Sequence, residues 1–175
     1  MLYPGDEDYI NHFNYLLPAF KDQRYICVDG KPLFCIYDPY HFKDVTRLIT
    51  LWQKLAQDNG LSGIYFTAMV NNTTTIKRRD DGSLERVLPN LKSSREVYQN
   101  MFDLGFSGIN SYGKSRGEML YQGKYIRMIK KLMHQKLQFL PAQRFDYPKV
   151  VHHFFAPEDV WDNVYPTVIS NWDRT

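Results

Sequence analysis

The chain predicts an α/β fold, a partial TIM (β/α)8 barrel of about four parallel βα units. Three observations predict it. Four apolar runs, at residues 33–38, 63–72, 106–112 and 165–172, each turn polar in their last residues. Parallel strands of barrels and doubly wound sheets deliver their site residues in this way, at their carboxyl ends. Segments of helical apolar period alternate with those runs, which implies crossover connections. The 175 residues are enough for a core but short of the roughly 250 that a complete eight-stranded barrel usually takes. Four strands leave barrel and open sheet both available.

The elements follow in order. Residues 8–20 place Ile10, Phe13, Leu16 and Leu17 at helical spacing, with Pro18 as the expected stop. Val28 to Pro32, with its Asp29-Gly30 step, reads as a turn into the first strand. The clearest helix is 44–59. Val45, Leu48, Ile49, Trp52, Leu55 and Ala56 form one stripe, Asp44 stands as its cap and Gly60 closes it. Residues 63–70 then run almost without charge, as a strand covered on both faces does.

A polar stretch from Thr73 to Asn90 reads as a long loop with room for a small hairpin at Asp81-Gly82. Ser93 with Glu96 offers a capping box, and Val97, Met101 and Leu104 carry a helix to Gly105. Tyr112 to Gly117 is glycine-rich and basic, and helical period returns over 120–140 until Pro141. Pro157 suits the first turn of a short helix ending near Val164, and Pro166 the opening of the last strand.

Composition narrows the function classes. Twenty-two basic residues against 19 acidic ones give a net charge of only +3, too little by itself to argue nucleic-acid or membrane binding. Met1 to Asp8 has neither the basic nor the apolar region of a leader, and no window reaches the eighteen or so apolar residues of a spanning helix. A cytoplasmic protein without membrane insertion is expected. Cys27 and Cys35 lack CxxC spacing and read as packed thiols. The aromatic share, 15%, with 13 Tyr, 11 Phe and 3 Trp, suits an aromatic core, and at strand ends it suits stacking on sugars.

The strand exits hold the candidate chemistry. Asp38 sits between Tyr37 and Pro39-Tyr40-His41, where a carboxylate beside aromatics can bond sugar hydroxyls, act as acid or base, or simply cap the turn. Asn110, Ser111 and Tyr112 leave the third strand; Asn171, Trp172 and Asp173 leave the fourth. Flat apolar faces with convergent donors and acceptors make a carbohydrate site. The substrate-binding candidates are therefore Tyr37, Asp38, Asn110, Tyr112, Trp172 and Asp173. His152-His153 with Glu158 and Asp159 invites a metal, but adjacent histidines point apart and share no helix face. The basic helix with Arg127, Lys130, Lys131 and Lys136 reads as a solvated face. Lys114-Ser115-Arg116 lacks the frame of a phosphate loop, and neither a nucleophile elbow nor a dinucleotide fingerprint is present. No cofactor or metal is called for.

Several of these stretches resemble a known family. His12 to Pro18, Val28 to Phe34, Trp52 through Phe66, Tyr165 to Val168 and Trp172 to Thr175 look like the WbsX-type polysaccharide-biosynthesis proteins. That family carries a domain similar to glycoside hydrolase family 99, the endo-α-1,2-mannosidases. Ile36 to His41 resembles the Tyr-Asp-Ser-Tyr stretch of the mannosidases, with Pro39 in place of Ser. Phe106 to Tyr112 resembles their Phe-Asp-Gly-x-Tyr-Thr-Tyr strand, with Asn110 for the first tyrosine and Tyr112 kept.

The resemblance implies a (β/α)8 barrel acting on glycans, of which residues 1–175 are the central part. It also implies that the paired glutamates fall after Thr175 and the early strands before Met1, so this chain alone is expected to be inactive by the two-carboxylate route. The expected function is that of a glycosyltransferase or glycoside hydrolase of O-antigen or capsule biosynthesis. The alternative is a noncatalytic glycan-binding or interaction module, possibly a homo-oligomer that completes its sheet. A nucleotide-sugar or nucleic-acid binder using Arg78, Arg79, Lys114 and Arg116 is the third reading.

Overall fold

The computed structural model describes residues 5–73, 76–87, 90–123, 125–126, 128–129, 132–133 and 146–168. Its order is α1 (Asp6–Phe20), β1 (Cys27–Val28), β2 (Lys31–Ile36), α2 (Val45–Asp58), β3 (Tyr65–Asn71), β4 (Ile76–Arg78), β5 (Leu84–Arg86), α3 (Arg95–Asp103), β6 (Gly108–Tyr112), α4 (Lys114–Gln122), α5 (Tyr147–Val151), a 3₁₀ turn (Pro157–Val160) and β7 (Val164–Pro166).

The main sheet runs β1-β2-β3-β6-β7. β2, β3, β6 and β7 are parallel, and β1 is antiparallel to β2. The parallel strands lie side by side in chain order, without the reversal that makes the switch point of a doubly wound sheet. The sheet curls into a half-barrel with helices alternating between its strands, and of the two topologies open at the sequence level it is the barrel's.

Helices cover one face of the sheet. Phe34 and Phe66 meet the Trp52 ring of α2 at 4.8 and 6.0 Å between centroids, and Phe13, Phe20 and His12 of α1 close around the same indole. Trp52 is fully buried, and its Nε1 donates to the Tyr9 carbonyl at 2.9 Å, locking α1 to α2. Because side chains alternate along a strand, Phe34, Ile36, Phe66, Ala68, Val70, Ile109 and Val164 form the outward, helix-covered face, and all of them belong to the core or pack against it. The opposite face looks into the half-barrel.

Local details show what overrode sequence signals. The Asp29-Gly30 step closes a two-residue hairpin between β1 and β2, both residues at positive φ (50° and 70°), as the sterically matched hairpin turn requires. The hairpin expected near Asp81-Gly82 forms as β4–β5. α1 continues two residues past Pro18, into its last turn, where the carbonyl Pro18 cannot reach belongs to exposed Asn14. Asp44 and Ser94 hold the N-cap positions of α2 and α3, but neither side chain makes a capping bond. Glu158 caps α3 instead, from 64 residues away: its carboxylate accepts the Ser94 N–H at 2.8 Å and the Ser93 hydroxyl.

Lys114 to Gly117 is helical rather than a glycine loop. Gly117 is a packing glycine, since a Cβ there would lie 2.4 Å from the Phe154 ring. β7 begins at Val164, and Pro166 ends the described strand rather than opening it. The thiols of Cys27 and Cys35 are free as expected but exposed rather than packed, because one lies on the short edge strand and the other on the inward face of β2. Residues 124, 127, 130, 131 and 134–140 of the expected long helix, and with them Arg127, Lys130, Lys131 and Lys136 of its basic face, lie outside the described residues, as do 169–172 of the expected last strand. No helix among the described residues is long and apolar enough to cross a membrane.

Candidate functional site

The inward face is set by alternation and register. It carries Leu33, Cys35 and Tyr37 from β2 and its exit, Tyr65, Thr67, Met69 and Asn71 from β3, Gly108, Asn110 and Tyr112 from β6, and Tyr165 and Thr167 from β7 and its exit. At the amino end this face is plugged. The Tyr65 and Tyr165 hydroxyls meet at 3.0 Å, and Gly108 lets them close, because a Cβ there would fall within 3.0 Å of both rings. Burial and the bond to Tyr165 push the Tyr65 phenol well above its ordinary pKa, so it stays a neutral donor, bonded to the Ser107 carbonyl.

Toward the carboxyl end the inward face becomes polar. Asn110 pairs in register with Met69 and Tyr165, and its Oδ1 accepts the Thr167 hydroxyl at 2.5 Å. Asn110 is half-buried, and its Nδ2 has no partner among the described residues, so a fixed amide presents a donor to the half-barrel interior. Asn71, two residues further on and opposite Tyr112, is held by its neighbours: it donates to Ser115 Oγ at 3.1 Å and accepts both the N–H and the hydroxyl of Thr73. Tyr37 stands 79% exposed at the exit of β2, an open ring on the side of the sheet away from the aromatic core.

Asp38 is engaged locally. Its carboxylate meets the His41 Nδ1 at 2.8 Å and accepts the His41 N–H at 3.3 Å, so it holds the turn after β2 while both side chains remain half-exposed. Tyr112 also lies at the carboxyl end, on the last position of β6, and its carbonyl accepts the Asn72 N–H. The six candidates thus divide. Tyr37 and Asp38 follow the carboxyl end of β2, with Asp38 turned into its own loop, and Asn110 and Tyr112 lie at the middle and the carboxyl end of β6, two parallel strands separated by β3. Trp172 and Asp173 lie outside the described residues.

Behind this rim, on the helix side, runs a buried polar network that sequence reasoning did not anticipate. The Tyr98 hydroxyl bonds Ser111 Oγ at 2.7 Å and donates to Asp159, whose other oxygen accepts the Ala156 N–H at 2.9 Å. Burial, then the bond to Asp159, raises the Tyr98 pKa far above the ordinary phenol value, fixing it as a donor. Burial raises the Glu158 carboxyl, but the bonds from Ser93 and Ser94 outweigh it, and the net shift is downward. Ser94 Oγ reaches the Asn72 carbonyl at 2.7 Å, and Asn72 Nδ2 reaches the Phe154 carbonyl at 2.8 Å. The signal available was the Glu158-Asp159 pair itself, which is used for capping and for holding Tyr98 rather than for a metal. Among the described residues no group of three His, Cys, Asp or Glu is placed to hold a metal ion.

The basic residues of the nucleotide-sugar reading are dispersed. Arg79 pairs with Glu85 across the β4–β5 hairpin at 3.1 Å. Arg116 is buried in α4, with Nε and Nη1 lacking hydrogen-bond partners among the described residues.

A half-barrel whose inward rim is polar only at the carboxyl end is a scaffold open to many chemistries. Comparison with known proteins decides among them: residues 2–175 match the family described as Glycosyltransferase WbsX. The chain belongs to the WbsX glycosyltransferase family. No curated protein and no solved structure gives a significant match. Membership makes this WbsX-family chain a carbohydrate-active protein of polysaccharide biosynthesis, with sugars as its substrates. In that setting the open Asn110 amide and the exposed Tyr37 ring are the two kinds of group a pyranose engages, donors for its hydroxyls and an aromatic face for its C–H surface.

Proposed function

We propose that the carboxyl-end rim of the inward face binds a sugar unit of a cell-surface polysaccharide, O-antigen or capsule, in a glycosidase-like (β/α) barrel of which residues 1–175 are the central part. The observation that carries this reading is Asn110. It is pinned by Thr167 and centred between β3 and β7, with no partner for its amide donor among the described residues. Tyr37 supplies the stacking face, Tyr112 and Asp38 further hydroxyl contacts, and Trp172 and Asp173 enter from the sequence alone. The likeness of residues 36–41 and 106–112 to the family 99 mannosidases points the same way.

No inward position among the described residues carries a carboxylate. Glycosidic cleavage by two carboxylates needs an acid and its partner at a defined separation, so catalysis in the whole protein, transfer or hydrolysis, rests on other residues. The same observation favours a second reading, a noncatalytic glycan-binding module of cytoplasmic location that works without that pair.

An array of bacterial O-antigen and capsular repeat units tests the proposal. Binding by the chain that is lost in Asn110→Ala and in Tyr37→Ala, but kept in Arg78→Ala, is the expected result. Binding that survives both inward-face changes and fails with Arg78→Ala transfers the function to the hairpin and overturns the reading.

A further inference from the structure

The nine-residue helix α4 starts just past Tyr112, at the end of the sheet where Asn71 and Tyr112 stand opposite each other. Its amino end is uncapped. The N–H groups of Lys114, Ser115 and Arg116 precede the first intrahelical bond, which runs from the Gly117 N–H to the Gly113 carbonyl, and none of the three has an acceptor among the described residues. Gly113, at the cap position, supplies no side chain and has no room for one, because a Cβ there would clash with the Phe154 carbonyl. That carbonyl already accepts Asn72 Nδ2 at 2.8 Å. The first turn carries no acid, and Glu118 lies a turn further on, 4.0 Å from Lys114 Nζ.

Two side chains of this turn add donors to those N–H groups. Ser115 Oγ accepts the Asn71 amide at 3.1 Å, which ties the turn to the inward face and leaves the serine's own hydroxyl hydrogen to donate. Arg116 is only 6% exposed, and its Nε and Nη1 are buried without hydrogen-bond partners among the described residues. Side chains of a helix lean toward its amino end, so the guanidinium is carried back toward the uncapped turn and away from Gln122. Holding a cation out of water without a partner is unfavourable. The fold does so beside three N–H groups that also lack acceptors, and an anion would satisfy both at once.

We propose that the first turn of α4 holds the oxyanion of a charged sugar, the carboxylate of an acidic sugar or the phosphate of a sugar phosphate. The N–H groups and the Ser115 hydroxyl donate to its oxygens, and Arg116 is its counter-ion. A helix amino terminus concentrates free N–H groups at the positive end of the helix dipole, and the guanidinium fork suits carboxylate and phosphate alike. The inference rests on the sugar-site reading and deepens it, since it gives the ligand of the rim a negative charge.

The test is an amide NMR titration of the chain with glucose, glucuronate, glucose 1-phosphate and inorganic phosphate. The Ser115 and Arg116 N–H signals should move with phosphate and with the charged sugars and stay in place with glucose; the tighter of glucuronate and glucose 1-phosphate identifies the source of the charge. Arg116→Gln should weaken anion binding about tenfold or more. Because Arg116 is buried, Arg116→Met gives a second readout. It should melt no lower than the parent in phosphate-free buffer, as expected when an apolar chain replaces an unpaired buried cation, and phosphate should raise the melting temperature of the parent alone. Signals of α4 that ignore every anion overturn the proposal. So does anion binding that is unchanged in Arg116→Gln, or a large fall in the melting of Arg116→Met with no effect of phosphate on the parent. Asn110→Ala separates this failure from that of the sugar site, since it should weaken binding of the charged sugars and leave that of inorganic phosphate unchanged. Phosphate binding that needs Arg116, with charged-sugar binding indifferent to Asn110→Ala, upholds the anion site and overturns the rim reading alone.

Discussion

The two faces of the sheet are built from the same strands and differ in almost everything else. The outward face presents Phe34, Phe66, Ala68, Val70 and Ile109 to α1, α2 and α3, and its polar members, Ser111 and Asn72, are buried and tied into hydrogen bonds. The inward face presents Cys35, Tyr37, Asn110, Tyr112 and Thr167, most of them partly open, with the Asn110 amide donor lacking a partner among the described residues. Period-two alternation thus sorts stability and recognition onto opposite sides of one sheet. Substitutions on the two faces should separate accordingly.

The largest effect belongs to the outward side. Trp52→Ala empties the ring cluster and removes the bond to the Tyr9 carbonyl, and should cost about 3–5 kcal/mol in urea unfolding; a cost under about 1 kcal/mol would break the division. Tyr98→Phe is a smaller cut at the same side. It strips Ser111 and Asp159 of their shared partner and should cost about 1–3 kcal/mol, with glycan binding at the rim retained once the protein is folded.

Acid sharpens the comparison further. The Glu158 carboxyl, ordinarily near 4.5, is held lower in the folded chain by Ser93 and the Ser94 N–H. A depressed carboxyl stabilises the fold above its unfolded pKa and loses that contribution as pH falls through the folded one. Thermal stability should therefore decline as pH drops below 4.5, and Glu158→Gln should flatten that decline. An unchanged slope in the variant would remove Glu158 from the account. The smallest stability effect is expected inward: Thr167→Val should cost no more than about 0.5–1.5 kcal/mol yet weaken glycan binding by unpinning Asn110.

Much of this arrangement was legible in the residues. The stripe from Val45 to Ala56, the charge-free run before Asn71 and the polar strand exits each follow from local periodicity, and a parallel sheet follows from their alternation, whereas the choice of barrel over open sheet came only with the strand order. What was not legible depended on contacts distant in sequence. Ser93 and Glu96 have the spacing of a local capping box, but the cap of α3 is Glu158, brought in by the 3₁₀ turn before β7. Gly117 in a basic, glycine-rich stretch looks like a loop residue until Phe154 is seen lying on it. Asp38 offered two roles at once, and only its loop geometry shows it bonded to His41. Asn71 and Thr167 carry no local signal of their place on the inward face, because their partners, Ser115 and Asn110, come from other elements.

The division of the faces, and the sugar site with it, is tested most directly by one paired measurement on Asn110→Ala: its melting temperature and its binding to the polysaccharide repeat unit that the unaltered chain selects. The account predicts melting within a few degrees of the parent and binding lost. Unchanged binding, or a collapse of the fold, would contradict it.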